Sequence, residues 1–211
     1  MALHWGQMTR RDLMAFMPVA LTPLLLLTGC SSEPAAKKEP EKTAEPVTGL
    51  TALFRCYQQA RTWSQDLTIL KVTSIHIPEV KQEPGKAAAW QVEFISQATR
   101  KSKTYTFSVY DAGTTLRKGI FPEREADWTR GGKPFLIAAA KVDTDVIWAA
   151  ALKKGEAFSK KNPDMPISYS LEMDNKTNNP AWRVIWGENA GSSSFSVMID
   201  ASTGDFLEIL H

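Results

Sequence analysis

The chain has 211 residues, and its 25 Lys and Arg residues nearly balance its 23 Asp and Glu residues, giving a formal net charge of +2. A balance this close to neutral lacks the basic footprint that nucleic-acid binding requires, so we expect no nucleic-acid partner. The chain has two cysteines, Cys30 and Cys56. If Cys30 is modified, Cys56 has no cysteine left to pair with, and a buried structural thiol is its simplest interpretation.

The N-terminal segment has the three parts of a secretory signal: basic residues Arg10 and Arg11, an apolar run from about Leu13, and a small-residue cleavage site. Its end, Leu27-Thr28-Gly29-Cys30, resembles the lipobox of bacterial lipoproteins. That resemblance implies that residues 1–29 are a signal peptide. It also implies that the new N-terminal Cys30 carries acyl groups such as palmitate. Two or more acyl chains anchor a protein stably to a bilayer.

This leader has one alternative interpretation, as a membrane helix, and two possible routes of export. An uncleaved membrane helix is disfavoured, because Pro18 and Pro23 interrupt a run that is already short of the roughly 20 residues a span needs. The route of export stays open, since Thr9-Arg10-Arg11-Asp12-Leu13 resembles a twin-arginine motif only in part. Either route leads to a membrane-anchored location in the cell envelope that faces the periplasm, at the outer membrane in a Gram-negative cell.

Residues 30–48 are rich in Pro, Glu, Lys, Ala and Ser. Such a segment buries too little apolar surface to offset the entropy of ordering it, so we expect a disordered tether that starts at Cys30. The rest of the chain is long enough for one large or two small domains.

Three short motifs occur twice in that remainder, in the same order and at similar spacing, which indicates a tandem duplication. They are Ala89-Trp90-Gln91-Val92 with Ala181-Trp182-Arg183-Val184, Phe107-Ser108-Val109 with Phe195-Ser196-Val197, and Asp111-Ala112-Gly113-Thr114 with Asp200-Ala201-Ser202-Thr203. We therefore predict an α+β fold of two duplicated units, each a helix packed on a small antiparallel β-sheet. The predicted units are residues 49–121 and 142–211, joined by a linker at 122–141.

Apolar periodicity predicts the elements of each unit. The first helix has its stripe at Leu50, Leu53, Phe54 and Tyr57, and the second begins near Asp143 or Thr144, either of which can serve as its N-cap. Strict alternation in the strands, as at Trp90, Val92 and Phe94, predicts sheets with one apolar face packed on a helix.

The last hairpin carries Asp200, Ala201, Thr203, Gly204 and Asp205, and in this pattern it resembles the PepSY family of secreted and envelope-associated domains. The resemblance covers about residues 142–210, and the first unit lacks the Thr-Gly pair and the acid. It implies the helix-plus-sheet fold and a role in restraining or regulating peptidases. Under it, Asp200, Thr203, Gly204 and Asp205 form a motif hairpin that is structural or binds a partner.

The sequence offers little catalytic chemistry. After the signal peptide only His76 and His211 remain, which is too few for a zinc site of three histidines, and no serine stands in a nucleophile elbow. We therefore expect no catalytic residues, no metal and no cofactor, and a protein that is not an enzyme. A hydrolase that uses His76 is the weakest alternative.

The function predicted from these observations is that of a lipid-anchored envelope protein that binds and regulates. Its expected partners are the membrane, through the anchor, and another envelope protein such as a peptidase. A second hypothesis is a periplasmic carrier of small molecules or lipids. Its apolar cavity would lie between helix and sheet, lined by Trp182, Trp186 and Phe195.

Overall fold

The computed structural model describes residues 45–113, 116–129 and 131–211. The predicted signal peptide, Cys30 and most of the predicted tether lie outside these residues. All the described residues belong to one compact unit.

The described part of the chain contains two α-helices, a short 3-10 helix and eleven β-strands. In chain order they are β1 (Val47–Thr48), α1 (Gly49–Ala60), β2 (Leu67–Ile75), β3 (Lys86–Ala87), β4 (Ala89–Ser96), β5 (Lys101–Ser108), β6 (Gly119–Pro122), β7 (Ala126–Asp127), the 3-10 helix (Ile137–Ala139), α2 (Thr144–Lys161), β8 (Ile167–Met173), β9 (Pro180–Trp186), β10 (Phe195–Asp200) and β11 (Phe206–Leu210).

Nine of these strands form one antiparallel sheet. Its order is β11, β10, β9, β8, β2, β4, β5 and β6, while β7 pairs with the opposite end of β5. β1 and β3 form a separate two-stranded ladder. Part of the predicted linker joins the sheet, because Ile69 and Phe135 exchange two backbone hydrogen bonds of 2.8 and 2.9 Å.

The prediction of two duplicated units, each a helix on its own small sheet, is wrong. β2 pairs with β8, with Val72 opposite Leu171 and Thr73 opposite Ser170, so the strands of both predicted units belong to a single sheet. Alternation shows which side chains of a strand face the core, but it does not show which strand lies beside it. In separate units β2 and β8 would each expose an edge of unpaired backbone groups, and their pairing places these two edges against each other.

Both helices pack on the same face of this sheet. Tyr57 of α1 lies 6.1 Å from Phe94 of β4 between ring centroids, while Phe158 of α2 stacks on Phe195 of β10 at 4.6 Å. The protein therefore has two layers, with the helices on one side of the sheet. We call the other side of the sheet the open face.

The predicted alternation is confirmed by burial. Trp90, Val92, Trp182 and Val184 have no exposed surface. The two indoles are satisfied in the same way, since Trp90 Nε1 donates to Val47 O and Trp182 Nε1 donates to Val142 O, each at 3.1 Å. These large rings fill the layer between sheet and helices.

The predicted cap of the second helix is also confirmed, and it serves both helices. Asp143 Oδ1 accepts from Thr144 N at 2.7 Å and from Leu50 N at 2.9 Å, in the first turn of α1. Its Oδ2 accepts from Thr48 Oγ1 at 2.7 Å. The first backbone N–H groups of a helix have no partner within it, so one carboxylate satisfies groups at two helix ends. Neither helix in the described residues is long and apolar enough to cross a membrane.

Candidate binding surface on the open face of the sheet

The open face carries a row of polar side chains across its central strands. Thr73 of β2 lies opposite Gln91 of β4, and Gln91 lies opposite Thr106 of β5. In the other direction Thr73 lies opposite Ser170 of β8, which lies opposite Arg183 of β9. Directly opposed residues of antiparallel strands are close neighbours on one face, so this polar row runs continuously across five strands.

The charged side chains in and beside this row contact neighbouring polar or charged side chains. Lys71 Nζ lies 2.8 Å from Glu172 Oε1, and Ser170 Oγ donates to the same oxygen at 3.0 Å. Arg183 Nε donates to Ser196 Oγ at 2.8 Å. Because the Lys71 and Glu172 side chains are about half exposed, their ion pair contributes little to stability, on the order of 0 to 1 kcal/mol. Lys71 and Glu172 compensate each other's charge, while Arg183 keeps its positive charge, so the row is suited to hydrogen bonding with a polar ligand.

A pocket of about 730 Å³ lies at one end of the row. Gln91 and Thr106 belong to its lining, together with Phe121 on the edge strand β6. Residues 76–79, which follow β2, complete the lining together with Ala112, Leu116 and Arg117. The volume is within the range of ligand-binding pockets, roughly 300 to 1,000 Å³.

The pocket combines apolar walls with charges of both signs. Leu116 and Phe121 supply apolar surface, and Phe121 is 42% exposed although it is a large aromatic residue. Glu79, Arg117 and Glu123 supply charges. Apolar side-chain sites next to groups that can pair with amides and charges are the features a polypeptide segment requires.

Smaller depressions extend along the open face beyond the pocket. One of about 240 Å³ includes Thr73 and Ser170, and one of about 330 Å³ includes Arg183, Met198 and Glu208 at the far side of the sheet. The open face is therefore recessed along the polar row rather than at a single point.

The predicted motif hairpin forms the turn between β10 and β11. Asp200 is 5% exposed, its Oδ1 accepts from Thr203 N at 3.0 Å, and its Oδ2 accepts from Asn179 Nδ2 at 3.3 Å. Gly204 has a positive φ of 83°, which a glycine adopts without strain, and Asp205 N donates to Thr203 Oγ1 at 3.2 Å. These contacts give the motif a structural role. A role in binding stays a prediction, and Thr203 and Asp205 are the exposed members.

The three residues of the predicted carrier cavity lie in the packed core. Trp182, Trp186 and Phe195 are at most 7% exposed. The Trp186 and Phe195 rings meet edge to face at 5.1 Å, and Phe158 of α2 stacks on Phe195. Trp186 Nε1 has no hydrogen-bond acceptor within the described part of the chain. The cavity stays a prediction, and this packing does not favour it.

His76 and Cys56 lie on opposite sides of the sheet. His76 lines the pocket on the open face, whereas Cys56 of α1 is fully buried in the core beneath the helix. Burial raises the pKa of the Cys56 thiol to about 12, which makes the thiolate scarce at neutral pH. Among the described residues no group of three or more potential metal ligands lies together.

Nothing in the sequence pattern predicts the pocket, because its lining comes from separate segments that only the sheet order brings together. The one local signal is Phe121 followed by Pro122. Proline cannot donate a ladder hydrogen bond, so Pro122 is consistent with an edge strand, but it does not indicate a pocket.

The sequence matches no protein-family model and no curated protein. Among solved structures, the chain is similar to the crystal structure of a candidate lipoprotein from Clostridium difficile 630. The two are 11% identical, with a TM-score of 0.47, and the match covers 81% of this chain and 95% of that one.

Proposed function

We propose that the protein is a non-catalytic, lipid-anchored binding protein of the cell envelope that holds a protein partner on its open face. The observation that carries this proposal is the pocket of about 730 Å³ at the end of the polar row, on the side of the sheet that the helices leave free. The opposite side supports this assignment, because tryptophan and phenylalanine rings fill it.

A polypeptide is the ligand that fits this surface. The polar row supplies hydrogen-bonding groups, the pocket supplies an apolar site at Leu116 and Phe121, and the pocket rim carries both acids and a base. An extended segment lying across the row would place alternate side chains toward the sheet, as strands do.

The anchor is supported by the sequence of the leader. Leu27-Thr28-Gly29-Cys30 fits lipid attachment at Cys30, and the predicted tether leads into β1, although its last two residues, Val47 and Thr48, form that strand and are not disordered. In this proposal the protein faces the periplasm, at the outer membrane in a Gram-negative cell. The resemblance of the Asp200–Asp205 hairpin to PepSY domains supports an envelope peptidase as the partner, held near the membrane or restrained in activity.

Site-specific photo-crosslinking in living cells tests the binding surface. A photoreactive phenylalanine replaces Thr106 or Thr73 on the open face, and Ala149 or Ala157 on the exposed side of α2 in matched controls. We expect covalent protein adducts from the open-face positions and none from the α2 positions. The adduct at Thr106 should disappear when Phe121→Asp is added, because that change places a charge in the apolar part of the pocket.

The proposal fails if the open-face positions give no protein adduct, or if all four positions give the same adducts. The anchor has its own test. Metabolic labelling with palmitate should mark the protein and leave the Cys30→Ala variant unmarked, and that variant should leave the membrane fraction. An unmarked wild-type protein would contradict the anchor.

A further inference from the structure

The outer surfaces of α1 and α2 together form a second exposed surface, which we call the helical face. It carries five basic side chains, all exposed: Arg55, Lys153, Lys154, Lys160 and Lys161. Its acidic residues are Asp145 and Glu156, both in α2. The molecule is nearly neutral overall, so this surface holds an excess of positive charge that composition alone does not reveal.

The basic residues are concentrated in the C-terminal half of α2. Lys153, Lys154 and Lys161 lie there, while Asp145 is in the first turn, about 12 Å along the axis from Lys153 at 1.5 Å per residue. Glu156 Oε1 lies 2.7 Å from Lys160 Nζ, and the two side chains are 61% and 74% exposed. Glu156 thus neutralises one of the four lysines and leaves the others to act on an anionic surface.

Exposed apolar side chains accompany this charge. Phe54 on α1 is 48% exposed and Val146 on α2 is 55% exposed. Phe206 on β11 is 40% exposed, and Lys154 Nζ lies 4.7 Å from the centroid of its ring. Basic residues interspersed with aromatic and aliphatic side chains are characteristic of surfaces that lie in the headgroup region of a membrane.

We propose that the helical face docks on anionic phospholipid headgroups of the bilayer that holds the anchor. The identity of that bilayer rests on the function proposed above. Fourteen residues lie between Cys30 and Glu45, and the chain from one to the other spans at most about 54 Å. A tether of this length lets the helical face reach the headgroups, where the negative surface potential attracts lysines.

Docking of this face fixes the direction of the open face. The helices cover one side of the sheet and the pocket lies on the other, so a domain resting on its helices turns the pocket away from the bilayer. The polar row would then be available to a partner in the periplasm.

Lysine footprinting of the lipidated, mature protein in vesicles tests the proposal without altering the chain. The protein is reconstituted in vesicles of phosphatidylcholine alone or with phosphatidylglycerol, and an amine reagent modifies it at low salt before mass spectrometry. Lys153 and Lys161 should react at least five-fold more slowly in the anionic vesicles. Lys71, on the open face, should react at the same rate in both. Salt at about 1 M should abolish the difference, since it reduces the screening length to about 3 Å.

A variant measures the contribution of charge. Lys153→Gln with Lys161→Gln should weaken docking about 30-fold, at about five-fold per lysine near an anionic surface. Lys71→Gln, on the open face, with Lys118→Gln, at the exposed residue just before β6, is the matched control and should leave docking unchanged. Equal labelling of Lys153 in both vesicle types overturns the proposal, as does slower labelling of Lys71 instead, or docking that survives in the double variant. A protein that does not stay with the vesicles lacks the anchor, which contradicts the proposed function instead.

Discussion

Asp143 links the two helices at the scale of a single residue. Its carboxylate accepts from Thr144 N in α2, from Leu50 N in α1 and from Thr48 Oγ1 just before α1. Next to it, Thr144 Oγ1 accepts from Gly49 N at 2.8 Å. The N-termini of both helices therefore meet at one polar cluster, where a carboxylate also interacts favourably with the two helix dipoles.

Replacing Asp143 by alanine should lower the free energy of unfolding by about 2 kcal/mol, since a lost cap costs about 1 kcal/mol and two helices lose theirs. Urea denaturation followed by circular dichroism measures this difference. Asp145→Ala is the matched control, because it removes the same charge from the same helix turn but only one contact, to Val146 N. A loss no larger than that of the control would show that Asp143 does not cap both helices.

The lowered pKa of the Asp66 carboxyl group predicts how the stability of the protein depends on pH. Hydrogen bonds from Ser64 Oγ, from Ala98 N at 2.7 Å and from Ser96 Oγ at 2.7 Å lower the pKa of its carboxyl from 3.8 to about 2. A carboxyl whose pKa is lower in the folded state stabilises the protein above its unfolded pKa, near 4. This contribution is lost as the pH falls toward 2.

The difference in unfolding free energy between the wild type and Asp66→Asn should therefore be largest above pH 4 and shrink steadily between pH 4 and pH 2. Urea titrations at several pH values provide the measurement. Asp164→Asn, at an exposed site, serves as the control for a general charge effect. A difference that stays constant down to pH 2 would contradict the role of these hydrogen bonds.

At the scale of the element, Gly155 determines how closely α2 approaches the sheet. A Cβ atom at this position would lie 2.6 Å from Trp186 Cη2 and 3.1 Å from Phe195 Cε1. Both rings are buried, so neither can move aside easily. The glycine thus lets the helix backbone rest directly on the aromatic rings of β9 and β10.

Gly155→Ala should lower the melting temperature, although alanine favours a helix by about 1 kcal/mol over glycine. The overpacking cost of about 1 to 3 kcal/mol opposes that gain. Adding Trp186→Phe should recover part of the loss, because the smaller ring makes room and Trp186 Nε1 gives up no hydrogen bond seen in the described residues. Thermal unfolding of the two single variants and of the double variant measures how strongly the two substitutions interact. If the effects of Gly155→Ala and Trp186→Phe on the melting temperature simply add, the close contact between residues 155 and 186 does not cause the loss.

The two α-helices and the longer strands could be predicted from the sequence, but the short elements in the predicted tether and linker and the assembly of the sheet could not. Alternation at Trp90, Val92 and Phe94 identified strand β4 and its buried side, and Asp143 marked the start of α2. The pairing of β2 with β8 cannot be recognised from the sequence of either strand, because the alternation of apolar and polar residues is the same whichever strand lies beside it. The pocket depends on that assembly, so its lining residues could not be predicted either.

At the scale of the whole molecule, contacts across the sheet join the parts that the sequence suggested were separate. Tyr169 of β8 packs its ring 6.0 Å from Trp90 of β4, and its hydroxyl accepts from Gly85 N at 2.9 Å. Tyr169 N donates to Ser74 Oγ of β2 at 2.8 Å. Trp90 and Trp182 meet edge to face at 6.2 Å. The two helices therefore share one core. A substitution that destabilises the core beneath one helix should also destabilise the core beneath the other.

Ile147→Ala in α2 provides that perturbation, since Ile147 is fully buried and such a truncation costs about 2 to 5 kcal/mol. Cys56 in α1 is the reporter, because burial raises its thiol pKa to about 12 and shields it from reagents until the core opens. In a Cys30→Ser background it is the sole thiol. The urea midpoint for Cys56 labelling should fall by the same amount as the midpoint of tryptophan fluorescence. Two independent units would leave Cys56 labelling unchanged while α2 unfolds, and that result would show that the continuous sheet does not make the molecule one cooperative body.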